Sequence, residues 1–203
     1  MTAGARTLRG LEGICWLLGI ALTGFFLSQL ALGEAERVAD IEAFESAFSQ
    51  SNPDQSLWSE ERIAAYDLHR QQPPSHVQAL LSIPSLELKV PVYADSSDLA
   101  MDLGAGFIPG TAGPDEVGNI GIAGHRDGYF RVLKDIEIGH SITLQTPHGE
   151  RRYRVAETLI VDPLDVEVLE ATDGRSVTLV TCYPFYFVGS APQRFIVKAE
   201  LDI

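Results

Sequence analysis

The chain holds two cysteines, and only Cys182 lies in a segment able to fold outside a membrane, because Cys15 sits in an uncharged apolar run. In an exported domain cysteines are normally paired, so a lone thiol there is a candidate nucleophile. Cys182 ends the run Val177-Thr178-Leu179-Val180-Thr181-Cys182, which is β-branched and apolar, and Tyr183-Pro184 stops it as a central strand. The thiol is therefore expected at the end of a strand, where it can face a cleft. A cysteine merely packed in the core is the alternative.

A thiol nucleophile needs a base, and imidazole is the side chain whose ordinary pKa lies nearest neutrality. Five histidines are present. His140 and His148 read as surface positions, while His69 and His76 lie before or at the start of the domain, badly placed unless the preceding segment folds back. His125 differs. It follows Asn119-Ile120-Gly121-Ile122-Ala123-Gly124 and precedes the turn Arg126-Asp127-Gly128, so it too is expected where a strand meets a loop. No Asp or Asn is assigned to orient it, and Asp127 reads as a turn residue.

Acyl transfer through a thiol also needs a donor for the tetrahedral oxyanion. Arg194 opens the run Arg194-Phe195-Ile196-Val197-Lys198-Ala199. If the segment 183–193 returns the chain antiparallel, residue 182 pairs with 194 and both side chains share one sheet face.

Short β-rich runs punctuated by Gly, Pro, Asn and Asp position these residues, and their spacing is that of a small barrel or sandwich. Strands are predicted near 77–83, 86–92, 117–124, 140–146, 151–161, 175–182 and 193–201, with helical turns near 97–103, 129–135 and 165–170. Gly104, Gly106, Gly110, Gly113 and Gly118 match no nucleotide-binding spacing and read as turns. Asp95, Asp98, Asp102, Asp115 and Glu116 lack EF-hand spacing and read as solvated loop carboxylates, and zinc has no Cys/His cluster. No metal or cofactor is expected.

Ahead of the β-rich region, Val38, Ile41, Phe44, Ala47 and Phe48 recur at helical intervals, and Trp58, Ile63, Tyr66 and Leu68 suggest a second helix ended by Pro73-Pro74. From Gly13 to Gly33 no residue is charged, and ~1.5 Å per residue over this run gives about one hydrocarbon thickness. Arg6 and Arg9 precede it and Glu34 and Glu36 follow, which places the amino terminus in the cytoplasm. The expected organisation is a cytoplasmic terminus at 1–12, a transmembrane anchor at 13–33, a helical stalk at 34–75 and a catalytic domain at 76–203. That domain would lie outside the inner membrane, in the periplasm. A cleaved signal peptide is the competing reading, but the apolar run exceeds a signal's hydrophobic region. The formal charge of −13 argues against nucleic acid as a partner, since phosphate neutralisation needs Lys and Arg.

Thr178-Leu179-Val180-Thr181-Cys182 resembles the T-L-x-T-C signature of sortases. Gly124-His125 resembles that family's histidine at the end of an earlier strand, and Arg194 its arginine on the strand after the cysteine. Within the family, His125-Arg126-Asp127-Gly128-Tyr129-Phe130 and Tyr183-Pro184-Phe185 resemble classes D and E, especially the dedicated sortases of Gram-negative proteobacteria. The resemblance implies an eight-stranded β-barrel with short helices, preceded by a transmembrane helix and stalk. It implies a cysteine transpeptidase acting on a protein substrate with a carboxy-terminal LPxTG-like sorting signal. Cys182 would attack the Thr–Gly carbonyl, His125 would serve as acid and base, and Arg194 would bind the oxyanion. An amine acceptor would resolve the acyl-enzyme, and Thr181 is expected to touch substrate. An extracytoplasmic cysteine hydrolase passing the acyl group to water is the alternative. The segment around Cys182 has neither a papain-like context nor the Ser-His-Gly-Cys motif of an L,D-transpeptidase.

Overall fold

The computed structural model describes residues 16, 18–26, 28, 53–71, 76–186 and 189–202. The chain divides into two compact units, 1–46 and 47–203. In the first, residues 16, 18–26 and 28 are helical, and the Thr23 hydroxyl donates to the Gly19 carbonyl at 2.8 Å. The anchor expected over 13–33 falls in part outside the described residues, and the helical spacing at 38–48 falls wholly outside them. Among the described residues no helix is long and apolar enough to cross a membrane.

The second unit carries eight strands: β1 Val77–Ile83, β2 Leu88–Tyr93, β3 Ala105–Phe107, β4 Asn119–Gly124, β5 Ser141–Thr146, β6 Gly149–Val161, β7 Ser176–Tyr183 and β8 Gln193–Leu201. They close into a barrel in the order β1-β2-β3-β4-β7-β8-β6-β5. Seven of these strands lie where the β-rich runs predict them. The eighth, β3, falls in the glycine-rich segment that reads as turns. It pairs parallel with β2 at Val92 and Ala105 and antiparallel with β4 at Gly106 and Ala123. Its glycine is a close-packing residue, since a Cβ at Gly106 would meet the Asp95 carbonyl oxygen at 2.0 Å.

The barrel interior follows from alternation along the strands. Leu81, Val90, Ile120, Ile122, Val177, Leu179 and Val197 are fully or almost fully buried and form one cluster with Phe130 and Tyr153. Each such aliphatic side chain contributes roughly 1.5–3 kcal/mol relative to exposure. β7 is flanked by β4 and β8, and its residues 177–179 are buried on both faces, which explains its near-continuous apolar run.

Two helices accompany the barrel, α1 at Glu60–His69 and α2 at Asp98–Leu103. Ser59 caps α1 by accepting from the Arg62 amide, with Glu60 and Glu61 in the first turn and His69 in the last, charges that suit the helix dipole. No residue of α1 is fully buried, and the apolar hold within the helix is partial, with Tyr66 packed against the cluster of Tyr93, Ala100 and Leu103. Its anchors are Trp58, which packs edge-on against Tyr129 at 4.8 Å and Tyr66 at 5.5 Å, and a set of polar contacts to the barrel. The helix near 63–68 therefore does fold back, the condition under which His69 could approach the barrel.

Candidate active site

Strand register brings the three chemically competent residues together. β4 and β7 run parallel with Ala123 beside Val180, so both strands end at the same edge, with His125 just past β4 and Cys182 near the end of β7. β8 runs antiparallel to β7, and Cys182 pairs directly with Arg194. Cys182 is an unpaired thiol of intermediate exposure. His125, Cys182 and Arg194 line one cleft of about 700 Å³, together with Arg62, Asp127 and Tyr186.

Small residues bring the backbone in at this edge. A Cβ at Gly124 would meet the Phe130 ring at 2.7 Å, and Phe130 is completely buried, so the residue before His125 has no room for a side chain. Thr181 packs against the same point. Its hydroxyl donates to the Gly124 carbonyl at 2.7 Å and the residue is 2% exposed, because alternation turns it to the face opposite Cys182. That hydroxyl ties β7 to the residue before His125, and Thr181 is not among the residues that line the cleft. Replacing Thr181 with valine, which keeps the shape and removes the donor, is expected to lower stability by about 1–2 kcal/mol and leave KM unchanged. Denaturant unfolding and steady-state kinetics check this; a raised KM at unchanged stability would restore the substrate contact.

Electrostatics around His125 come from three elements. Desolvation is the main cause, and with the Arg62 charge it pushes the imidazole down to about 4, against opposing pulls from Asp127 and Asp98. His125 is thus neutral at pH 7. In the unfolded chain its pKa returns to about 6.5, so between those values only the unfolded state takes up the proton. Stability is consequently expected to fall as pH drops from about 6.5 through about 4, by at most ~3 kcal/mol from this group. Urea titrations at stepped pH should show a shallower acid limb for His125→Gln.

Sequence reasoning missed Asp102 and Arg62. Asp102, which reads in sequence as a solvated loop carboxylate, is 6% exposed on α2. Its Oδ2 lies 2.7 Å from His69 Nδ1 and its Oδ1 lies 3.3 Å from His125 Nε2 and pairs with the Arg62 guanidinium. Burial is sustained because each oxygen has a partner. Arg62 also reaches Asp127 at 3.3 Å, and the Ser59 hydroxyl donates to the same carboxylate at 3.2 Å. The available signal was a helical stripe: Arg62, Tyr66 and His69 follow i, i+4, i+7 spacing on one face of α1. Asp127 is held below the usual carboxylate range by Arg62 and by its hydrogen bonds, although burial pulls the other way. Arg194 Nη1 donates to the Gln193 carbonyl at 3.0 Å, and Arg126 donates to the Gly189 carbonyl at 2.8 Å across the mouth of the cleft.

The family model described as Sortase domain matches residues 81–202. Sortase D of Bacillus subtilis (strain 168) is 34% identical over 122 residues, covering 60% of this chain and 62% of the relative. Sortase A of Staphylococcus aureus (strain NCTC 8325 / PS 47) is 31% identical over 116 residues, covering 53% of this chain and 56% of the relative. The matched segments thus span less than two thirds of these relatives. Among solved structures, a Clostridium perfringens Sortase D5 transpeptidase superposes with a TM-score of 0.60 at 25% identity, covering 82% of this chain and 98% of that one.

Proposed function

The chain belongs to the sortase family, and on that premise we propose that it is a membrane-anchored cysteine transpeptidase that cleaves an LPxTG-like sorting signal and passes the acyl group to an amine. The observation that carries this reading is the meeting of three strand ends, bearing Cys182, His125 and Arg194, in one cleft. The relative described as a transpeptidase supports the reaction type. The uncharged run 13–33 with its flanking charges supports the anchor and an extracytoplasmic catalytic domain. The segments 125–130 and 183–185, with a Sortase D among the relatives, support a place near class D.

The reaction follows from the groups in the cleft. A neutral His125 takes the Cys182 proton as sulfur attacks the Thr–Gly carbonyl, forming the C–S bond. Arg194 stabilises the charge that develops on oxygen. Collapse breaks the C–N bond, and the His125 imidazolium gives its proton to the departing amine, leaving a thioester. An incoming amine then attacks the thioester, its proton passes to His125, and the thiol leaves reprotonated. Because burial and the Arg62 charge hold His125 down to about 4, its resting form is the neutral imidazole, and the imidazolium forms only as the reaction proceeds.

The test is direct. The full chain, given a synthetic LPxTG peptide and triglycine, is expected to yield the peptide ligated through its threonine to triglycine, resolved by mass spectrometry. Cleavage to the free acid with no ligation at saturating amine would assign the chain to the hydrolase alternative.

A further inference from the structure

The segment matched by the family model begins at residue 81, yet α1, wholly upstream of it, contributes Arg62 to the wall of the cleft. Arg62 and His69 of α1 grip one buried carboxylate, Asp102, and that carboxylate faces the His125 ring at 3.3 Å. The turn after His125 is packed from the same side, since a Cβ on Gly128 would meet Arg62 Cδ at 3.4 Å and His125 Cβ at 3.7 Å. Ser59 and Arg62 close the contact through Asp127.

We propose that Asp102, braced by Arg62 and His69, is a positioning residue for His125, and that α1 is thereby part of the active centre. This rests on the assignment of His125 as acid and base. The carboxylate beside Nε2 selects the tautomer that carries hydrogen there, which leaves the Nδ1 lone pair for the thiol. A carboxylate alone would also favour the charged ring. Arg62, bound to the same carboxylate oxygen, offsets that charge, so the ring is oriented and stays neutral. Besides Arg62 and Asp102, the titratable and charged groups around the cleft are Glu61 of α1, Asp98 of α2, Arg126 and Asp127 of the turn, Arg131, Cys182 of β7, Tyr186 and Arg194 of β8, with His69 acting through Asp102.

The full chain labelled at histidine Cε1 reports the His125 titration by NMR, alongside the pH dependence of kcat/KM for the LPxTG peptide. Arg62→Met removes the offsetting cation, and the His125 midpoint is expected to rise by about one pH unit or more. The acid limb of kcat/KM should move the same way. Arg62→Lys, which keeps the charge, should bring both back toward the parent. Asp102→Asn is expected to lower kcat roughly tenfold to a hundredfold with little change in KM, and to shift the His125 midpoint downward. Unchanged His125 midpoints in both Arg62→Met and Asp102→Asn, with native circular dichroism, would overturn the proposal and leave the cluster a structural brace. If Asp102→Asn does not fold, the Met and Lys pair at position 62 decides, because only charge coupling separates them. Activity retained in His125→Ala would instead sink the acid–base assignment, an outcome distinct from any shift of the titration.

Discussion

Cys182→Ala is expected to reduce peptide cleavage and ligation by ~10⁴-fold or more and to abolish the peptide–enzyme adduct seen by mass spectrometry. The chain's other cysteine, at position 15, lies in the uncharged run 13–33. Stability should barely change. Cys182 is of intermediate exposure at the edge of the barrel, and losing one sulfur there removes little buried contact. A variant that folds normally yet forms no adduct separates chemistry from folding. If Cys182→Ala kept its turnover, the thiol mechanism would be wrong whatever the fold. Cys182→Ser should be nearly as inactive, because a neutral imidazole near pKa 4 is too weak a base to activate a hydroxyl.

Arg194→Ala comes next in size, with kcat expected to fall ~10²- to 10³-fold, the usual cost of losing an oxyanion donor. Its place directly opposite Cys182 in the β7–β8 register carries the argument, because direct cross-strand partners project on the same face. Among the described residues, Nη1 of the guanidinium donates to the carbonyls of Ala191 and Gln193, contacts that hold the group at the cleft. Arg194→Lys should lie between the parent and the alanine variant, since charge survives and the fork does not. Equal losses for Ala and Lys would mean that two-point geometry matters and bare charge does not. A change confined to KM would move Arg194 from the oxyanion to ground-state binding.

Both variants leave intact the cluster that sets the protonation of His125. His125 lies behind Asp102, Arg62 and Asp127, and the acid limb of stability reports on that burial independently of turnover. A chain that carries 28 acidic and 15 basic residues nonetheless places Arg62, Arg126, Arg131 and Arg194 around one cleft. That concentration suits an oxygen that gains charge during the reaction.

Much of this was legible in the residues themselves. Runs of β-branched and apolar residues bounded by Gly, Pro, Asn and Asp located β1, β2 and β4 to β8, because those residue types suit a pleated strand and the breakers end it. A single antiparallel return over 183–193 allowed the Cys182–Arg194 pair, and the β7–β8 register realises it. β3 was not legible: three residues with a glycine in the middle carry no period, and only pairing with β2 and β4 makes them a strand. Thr181 shows a different limit. Its place beside Cys182 suggests a substrate contact, and what only the fold adds is the Gly124 carbonyl to which its hydroxyl donates.

By itself the sequence placed a lone thiol, an imidazole and a guanidinium at the ends of the strands that carry them, because each is encoded locally by residue type at a strand end. Tertiary structure alone decided how the base is held. Arg62, His69 and Asp102 come from two helices 33 to 40 residues apart along the chain and meet at His125 only when α1 packs on the barrel. No local pattern distinguishes a buried carboxylate from a solvated one: Asp102 resembles its acidic neighbours in sequence, and folding supplies the partners that make its burial affordable.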